Sequence, residues 1–173
     1  KDRNLIPGIE KINDADVVLF SVRRRVLPEK EMQAIKKYVK AGKPVVGIRT
    51  ASHAFSLRGK EPPAGYADWT EFDAYVFGGN YKGHHKNDLK SMVTINPAQR
   101  KNPILDGIPD KPFPQAYSLY EVLPLAKGTT VLMTAEIPGK PVEPVAWTFQ
   151  RKDGGKSFYT SLGHPGDFKQ PEF

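Results

Sequence analysis

The chain has 173 residues, enough for one domain that buries roughly 70% of the surface its unfolded form exposes. It holds no cysteine, which excludes disulfides, thiolate metal sites and cysteine nucleophiles, and no apolar run near the roughly 18 residues of a membrane span. A net charge of +7 raises nucleic acid as a partner, but apart from Arg23, Arg24 and Arg25 the basic residues are scattered, so solvation accounts for the charge and neither nucleic acid nor membrane is expected.

The chain opens on Lys1 rather than Met, with nothing resembling a signal peptide before "NLIPGIEKINDADVV", and stops at Phe173 as "FKQPEF" starts to read as a helix. Both ends read as cut from a longer, soluble protein whose compartment stays open. "DVVLFSV", from Asp16 to Val22, is an apolar run of strand length that suits a strand buried on both faces of a parallel sheet. Next comes "LPEKEMQAIKKYVKAGK", where Pro28 suits a first helical turn, Glu29 and Glu31 suit the positive end of the dipole, and Gly42 suits the far cap. Met32, Ile35 and Val39 supply one apolar face, and Val45 to Ile48 is a second buried strand, so strand, helix and strand form a parallel crossover unit.

Ala54 to Thr70 carries Gly59, Pro62, Pro63 and Gly65 and reads as a loop leading to Trp69. "AYVFGG" (Ala74 to Gly79) reads as a short strand ending at a glycine pair, and "SMVTIN" from Ser91 alternates like a strand. Pro97 to Pro114 is a turn region. "TVLMTA", "PVAWTF" and "SFYTSLG" are later strands, with "RKDGGK" from Arg151 as the hairpin turn between the last two.

The unusual polar residues fall just after these expected strands, where open α/β sheets bind ligands. Arg23 follows the first strand, Arg49 and His53 follow "VVGI", His84 and His85 follow "VFGGNYKG", and His164 follows "FYTSLG". For each histidine the alternative is a surface or satisfied hydrogen-bonding group; for Arg49 it is a salt bridge closing the turn, and for Arg23 to Arg25 a solvated run. "GHHKND" offers His84 and His85 as metal ligands, with His164 or His53 as further ones and zinc or another divalent ion as the possible cofactor, although two adjacent histidines lack the helical His-x-x-x-His spacing and zinc normally takes three or four ligands. In "GHPGDF", Asp167 is three residues past His164 and either orients its imidazole as a base or caps a following helix.

Taken in order, "DVVLFSVRRRVLPEKEMQAIKKYVKAGKPVVGIRTASHAF", "FGGNYKGHH", "NPILDGIP", "SLYEVLPL" and the ending from "PVAW" to "SFYTSLGHPGDF" resemble the ThuA-like (trehalose utilisation) family, a branch of the class I glutamine amidotransferase-like superfamily. The resemblance implies a flavodoxin-like, doubly wound, mostly parallel sheet with helices on both faces. It implies a single domain over 1–173, lacking the family's first strand-helix unit and its final helix. In the amidotransferases a Gly-Ile-Cys elbow carries the nucleophile and a His-Pro-Glu segment the base. Here "GIR" puts Arg49 in the cysteine's place, and "HPGD" keeps His164 but sets Gly166 at the glutamate, with Asp167 one place later.

A guanidinium cannot attack a carbonyl, so glutamine hydrolysis is excluded and Arg49 becomes an anchor or electrostatic stabiliser. The resemblance implies a carbohydrate-derived ligand, a sugar or keto-sugar processed by hydrolysis, elimination or isomerisation. His164, Arg49, His53 and Asp167 are the expected catalytic set, and Arg23, Trp69, Tyr81 and Tyr120 the ligand-binding set, the aromatics being sugar platforms or core packing. The alternative is a non-catalytic module that binds a carbohydrate or an anionic metabolite in a degenerate cleft. A homo-oligomer is compatible with either.

Overall fold

The computed structural model describes residues 4–173; Lys1 falls outside the described residues. In chain order the strands are β1 (Val18–Phe20), β2 (Leu27–Pro28), β3 (Val45–Ile48), β4 (Tyr66–Ala67), β5 (Gly83–His84), β6 (Met92–Ile95), β7 (Phe113–Pro114), β8 (Tyr120–Glu121), β9 (Thr129–Glu136), β10 (Glu143–Gln150) and β11 (Lys156–Thr160). The α-helix α1 (Glu29–Lys40) lies between β2 and β3. Seven strands form one sheet in the order β1-β3-β11-β10-β9-β6-β7, while β2 pairs with β4 and β5 with β8.

The fold is α/β with a mixed sheet, which corrects the expectation of a mostly parallel, doubly wound one. Only β1, β3 and β11 run parallel. The pairs from β11 through β10, β9 and β6 to β7 are all antiparallel. Connection length explains the difference: β9–β10 and β10–β11 are joined by short turns, and a short turn can only reverse a strand. α1 is the one α-helix among the described residues, so the sheet does not carry α-helices on both faces. No helix among the described residues is long and apolar enough to cross a membrane.

The crossover from β1 through α1 to β3 forms as the sequence predicts. Pro28 precedes the helix, Glu29 and Glu31 stand in its first turn and Lys37 and Lys40 in its last. Gly42, at φ +76°, then turns the chain out, its N–H closing on the Val39 carbonyl at 2.9 Å. Met32, Ile35, Tyr38 and Val39 are fully buried. Burial of Met32, Ile35 and Val39 is worth about 2 kcal/mol each. They share a core with Phe55, Phe72, Phe77, Trp147 and Tyr159; a second core gathers Val93, Leu105, Leu132, Val145 and Leu162.

Two expected strands change. The first shortens to the three residues of β1 and sits at the sheet edge, where Leu19 is 56% exposed, so it is not buried on both faces. "AYVFGG" is not a strand: Asp73–Phe77 forms a turn of π-helix, ended by Gly78 at φ +62°. A short apolar run has no period of its own; here Val76 and Phe77 bury themselves in the core, and the Phe77 carbonyl accepts from Trp147 Nε1 at 2.7 Å.

Candidate functional site

Parallel pairing sets Phe20 opposite Gly47, and Ile48 opposite Thr160. The residues that follow β1, β3 and β11 therefore emerge side by side beyond the carboxyl ends of the strands. Three loops meet there: 23–25, the 3-10 turn Arg49–His53, and 161–167.

Arg49 keeps the backbone of an elbow but not a free side chain. Its φ is +46°, which a bulky residue adopts at a cost. Its carbonyl accepts from Tyr159 Oη at 2.5 Å. Arg49 is 8% exposed, and its guanidinium donates to the Ser161 carbonyl at 2.8 Å and, more weakly, to the Ser118 carbonyl at 3.4 Å and Oγ at 3.3 Å. It also sits over Tyr120 and Tyr117, at 4.7 and 5.5 Å from the ring centroids. Carbonyls and aromatic faces, rather than a salt bridge, close the turn; among the described residues no carboxylate lies in ion-pair range of Arg49.

His164 stacks flat on Tyr117, centroids 4.2 Å apart and planes at 3°, and its Nδ1 accepts from the Gly166 N–H at 3.2 Å. Asp167 is buried and serves the backbone: Oδ1 accepts from Ala116 N, and Oδ2 from Gly163 N and His164 N, each at 2.8 Å. Its carboxylate clamps the loop to segment 115–118 and does not meet the imidazole, nor does it cap the 3-10 turn that follows. His164, Tyr117, Arg49 and Tyr120 thus form a continuous row.

At the other end of the row lies a cavity of about 310 Å³, lined by Arg24, Ser52, His53, Arg58, Asp73 and Tyr81 with their neighbours. His53 is buried, its ring against Tyr81 at 4.4 Å, and its Nδ1 is 3.1 Å from Ser52 Oγ. Burial, then the positive charges of Arg24, Arg23, Arg58 and Arg49, push its pKa down to about 3, so it is neutral at physiological pH. Asp73 Oδ2 accepts from Tyr81 N at 2.8 Å, while Oδ1 is buried without a partner. Burial raises this carboxyl to about 7, against the opposing Tyr81 hydrogen bond. Near pH 7 the cavity therefore holds a neutral imidazole and a carboxyl able to take up or release a proton.

The other predicted residues separate. Tyr81 lines the cavity; Tyr120 is buried between Arg49 and Tyr81. Trp69 is buried in the core against Phe72 and Tyr75 and presents no platform. Arg23 is exposed, and of the three arginines it is Arg24 that lines the cavity. His84 is exposed, its Nδ1 2.9 Å from the His85 carbonyl, whereas His85 faces Glu121 at 4.0 Å. These residues do not fit a zinc ion: among the described residues no three His, Cys, Asp or Glu side chains converge. Sequence reasoning missed Asp73, Arg58 and Ser52. The available signal for Asp73 is the glycine pair after it, since a Cβ on Gly79 would overlap Asp73 Oδ1.

The family model described as trehalose utilisation, ThuA, matches residues 2–173. No protein with curated function matches the sequence. Among solved structures, a ThuA-like protein from Bacteroides uniformis superposes with a TM-score of 0.65 at 16% identity, over 90% of this chain and 63% of that one. A cytoplasmic protein from Salmonella typhimurium gives 0.59 at 13%, over 90% and 63%. A ThuA-like protein from Parabacteroides merdae gives 0.56 at 19%, over 88% and 61%. At these identities the likeness is one of fold, and this chain spans under two thirds of the length of each.

Proposed function

We propose, from the premise that this chain belongs to the ThuA family of trehalose utilisation, that it isomerises or eliminates from a keto-sugar derivative by acid–base chemistry, without a covalent intermediate. The observation that carries the reading is the pairing, on one cavity beside the elbow, of Asp73, with one carboxylate oxygen unpartnered, and a neutral buried His53. A carboxylate base with a pKa near 7 and a neutral histidine as hydrogen-bond donor is a division of labour suited to moving a proton next to a ketone.

Ser52 Oγ is 3.1 Å from His53 Nδ1 but 3.4 Å from the Arg49 carbonyl, which already accepts from Tyr159. The Ser52 proton is assigned to Nδ1, which leaves the imidazole proton on Nε2. Asp73 takes a proton from the carbon beside the ketone. The C–H electron pair forms the new C=C, and the carbonyl oxygen gathers charge under the His53 Nε2–H. For isomerisation the proton of the α-hydroxyl passes to that oxygen and Asp73 returns its proton to the former carbonyl carbon, which moves the ketone by one position; for elimination the enolate re-forms the carbonyl and expels the β-substituent, which leaves with the bonding pair and takes the proton held by Asp73.

The test is deuterium incorporation beside the ketone of a keto-glycoside in D2O, followed by NMR. Wild type exchanges, and Asp73→Asn lowers the rate by roughly 100-fold or more. A second reading, with His164 as the base, is favoured by its place at the end of β11 in the row with Tyr117 and Arg49. Exchange abolished in His164→Ala and unchanged in Asp73→Asn selects it. Tight binding of an unreacted ligand, with no exchange, selects the non-catalytic module.

A further inference from the structure

We infer that the cavity beside His53 recognises an anionic ligand, a sugar derivative carrying a carboxylate or phosphate that Arg24 and Arg58 hold; this rests on the carbohydrate reading above. Among the described residues three non-glycine residues have positive φ, and all three are arginines: Arg24 at +49°, Arg49 at +46° and Arg58 at +57°. Left-handed backbone costs a bulky residue on the order of 1 kcal/mol, and such strain persists where the surroundings impose it. Here it gathers guanidinium groups from separate segments around one imidazole, and all three, with Arg23, depress His53.

The charge is not neutralised from within. Among the described residues no carboxylate lies in ion-pair range of Arg23, Arg24, Arg58 or Lys82. Asp73, the acid of this cavity, is held largely protonated below about pH 7 by burial. Arg24 uses Nη1 on the Ser56 carbonyl at 3.2 Å, while its Nε is buried without a partner. Arg24 lines the cavity with only Nη1 engaged, so its guanidinium fork keeps donors for a ligand oxyanion. The loop carrying Arg24 is tied to the elbow turn, Arg24 N to the His53 carbonyl at 3.1 Å and Arg25 N to Ala54 at 2.6 Å, so guanidinium and imidazole share one frame. Arg58, exposed at the rim, supplies the second charge. Neutral hydroxyls would meet Ser52, Asn80 and Tyr81.

Calorimetric titration of the full chain at low salt, with glucose, gluconate, glucose 6-phosphate and inorganic phosphate as probes, tests the inference. Gluconate or glucose 6-phosphate, or both, binds at least tenfold more tightly than glucose, and which of them does so identifies the oxyanion. Arg58→Gln removes most of that preference. Because Arg58 is exposed and its backbone is left-handed, Arg58→Gly provides a second variant that keeps the fold and loses the anion preference. Glucose binding as tightly as its anionic counterparts, unaffected by either variant, overturns the inference and leaves the carbohydrate reading standing. Inorganic phosphate binding as tightly as glucose 6-phosphate leaves the anion site standing and removes the sugar. No binding by any probe overturns the anion site.

Discussion

Asp73 is useful only while its carboxyl stays against the cavity wall, and Gly79 is what leaves room for it. A methyl at 79 would overlap Oδ1, and the Asp side chain is short and anchored through Oδ2 to Tyr81 N. Gly79→Ala therefore displaces the carboxyl, costing about 1–3 kcal/mol in overpacking, with deuterium exchange falling although Asp73 is chemically intact. A denaturant midpoint and the exchange assay on one sample check both. Wild-type exchange in a folded Gly79→Ala protein would remove Asp73 from the chemistry. At this scale the sequence was readable in part. His53 stands out as a polar residue past a strand and Tyr81 as an aromatic able to face a sugar, and both line the cavity. Asp73 does not, because an acid in "EFDAYVF" looks like loop until the π-turn seals its side chain. In "RRR" the sequence cannot say which residue faces inward, since that depends on the positive φ at Arg24.

Elements were legible where local chemistry sets them. Helix α1, the β3 strand and the "RKDGGK" hairpin form where the sequence places them. What joins them was not, because the key residue acts across about 110 positions. Arg151 in that hairpin is buried: Nε meets both Asp153 oxygens at 3.1 Å, and Nη1 donates to Ser157 Oγ at 2.8 Å. Its Nη2 donates to the carbonyls of Val39 at 3.2 Å and Lys43 at 2.7 Å, satisfying the end of α1 and the approach to β3. This one side chain ties the β10–β11 hairpin to the crossover that delivers the elbow. Arg151→Met leaves the buried Asp153 side chain without its guanidinium, keeping the Gly155 N–H at 2.8 Å as a backbone donor, and lowers unfolding stability by about 3–5 kcal/mol. Arg151→Lys recovers only part of that, since an ammonium cannot span the fork. A loss below 1 kcal/mol in urea denaturation would show that the hairpin is held by strand pairing alone.

For the whole molecule, the sequence places its unusual polar residues just after strands, and in the structure the segments that follow the parallel strands β1, β3 and β11 emerge side by side. The antiparallel half was not legible as such, because strand direction follows from which strands pair, a long-range outcome, while hydrophobic runs report only burial. The cavity also leaves a mark on global stability. His53 titrates near 6.5 when unfolded and about 3 when folded, so on its account stability is present above 6.5 and lost as pH falls toward 3. Asp73 goes from 3.8 unfolded to about 7 folded, so its contribution is full below 3.8 and lost as pH rises through about 7. Between pH 4 and 6.5 the two slopes oppose each other, and each is at most on the order of 1.4 kcal/mol per pH unit for one proton. Removing either one exposes the other. Across that window Asp73→Asn makes stability climb more steeply with pH than in wild type, and His53→Gln makes it climb less or fall, because all other titrating groups are common to the three proteins. Urea unfolding at four pH values between 4 and 7 measures the slopes. If those of the two variants coincide, at least one of these side chains is not held in the protonation state from which the proposed chemistry starts.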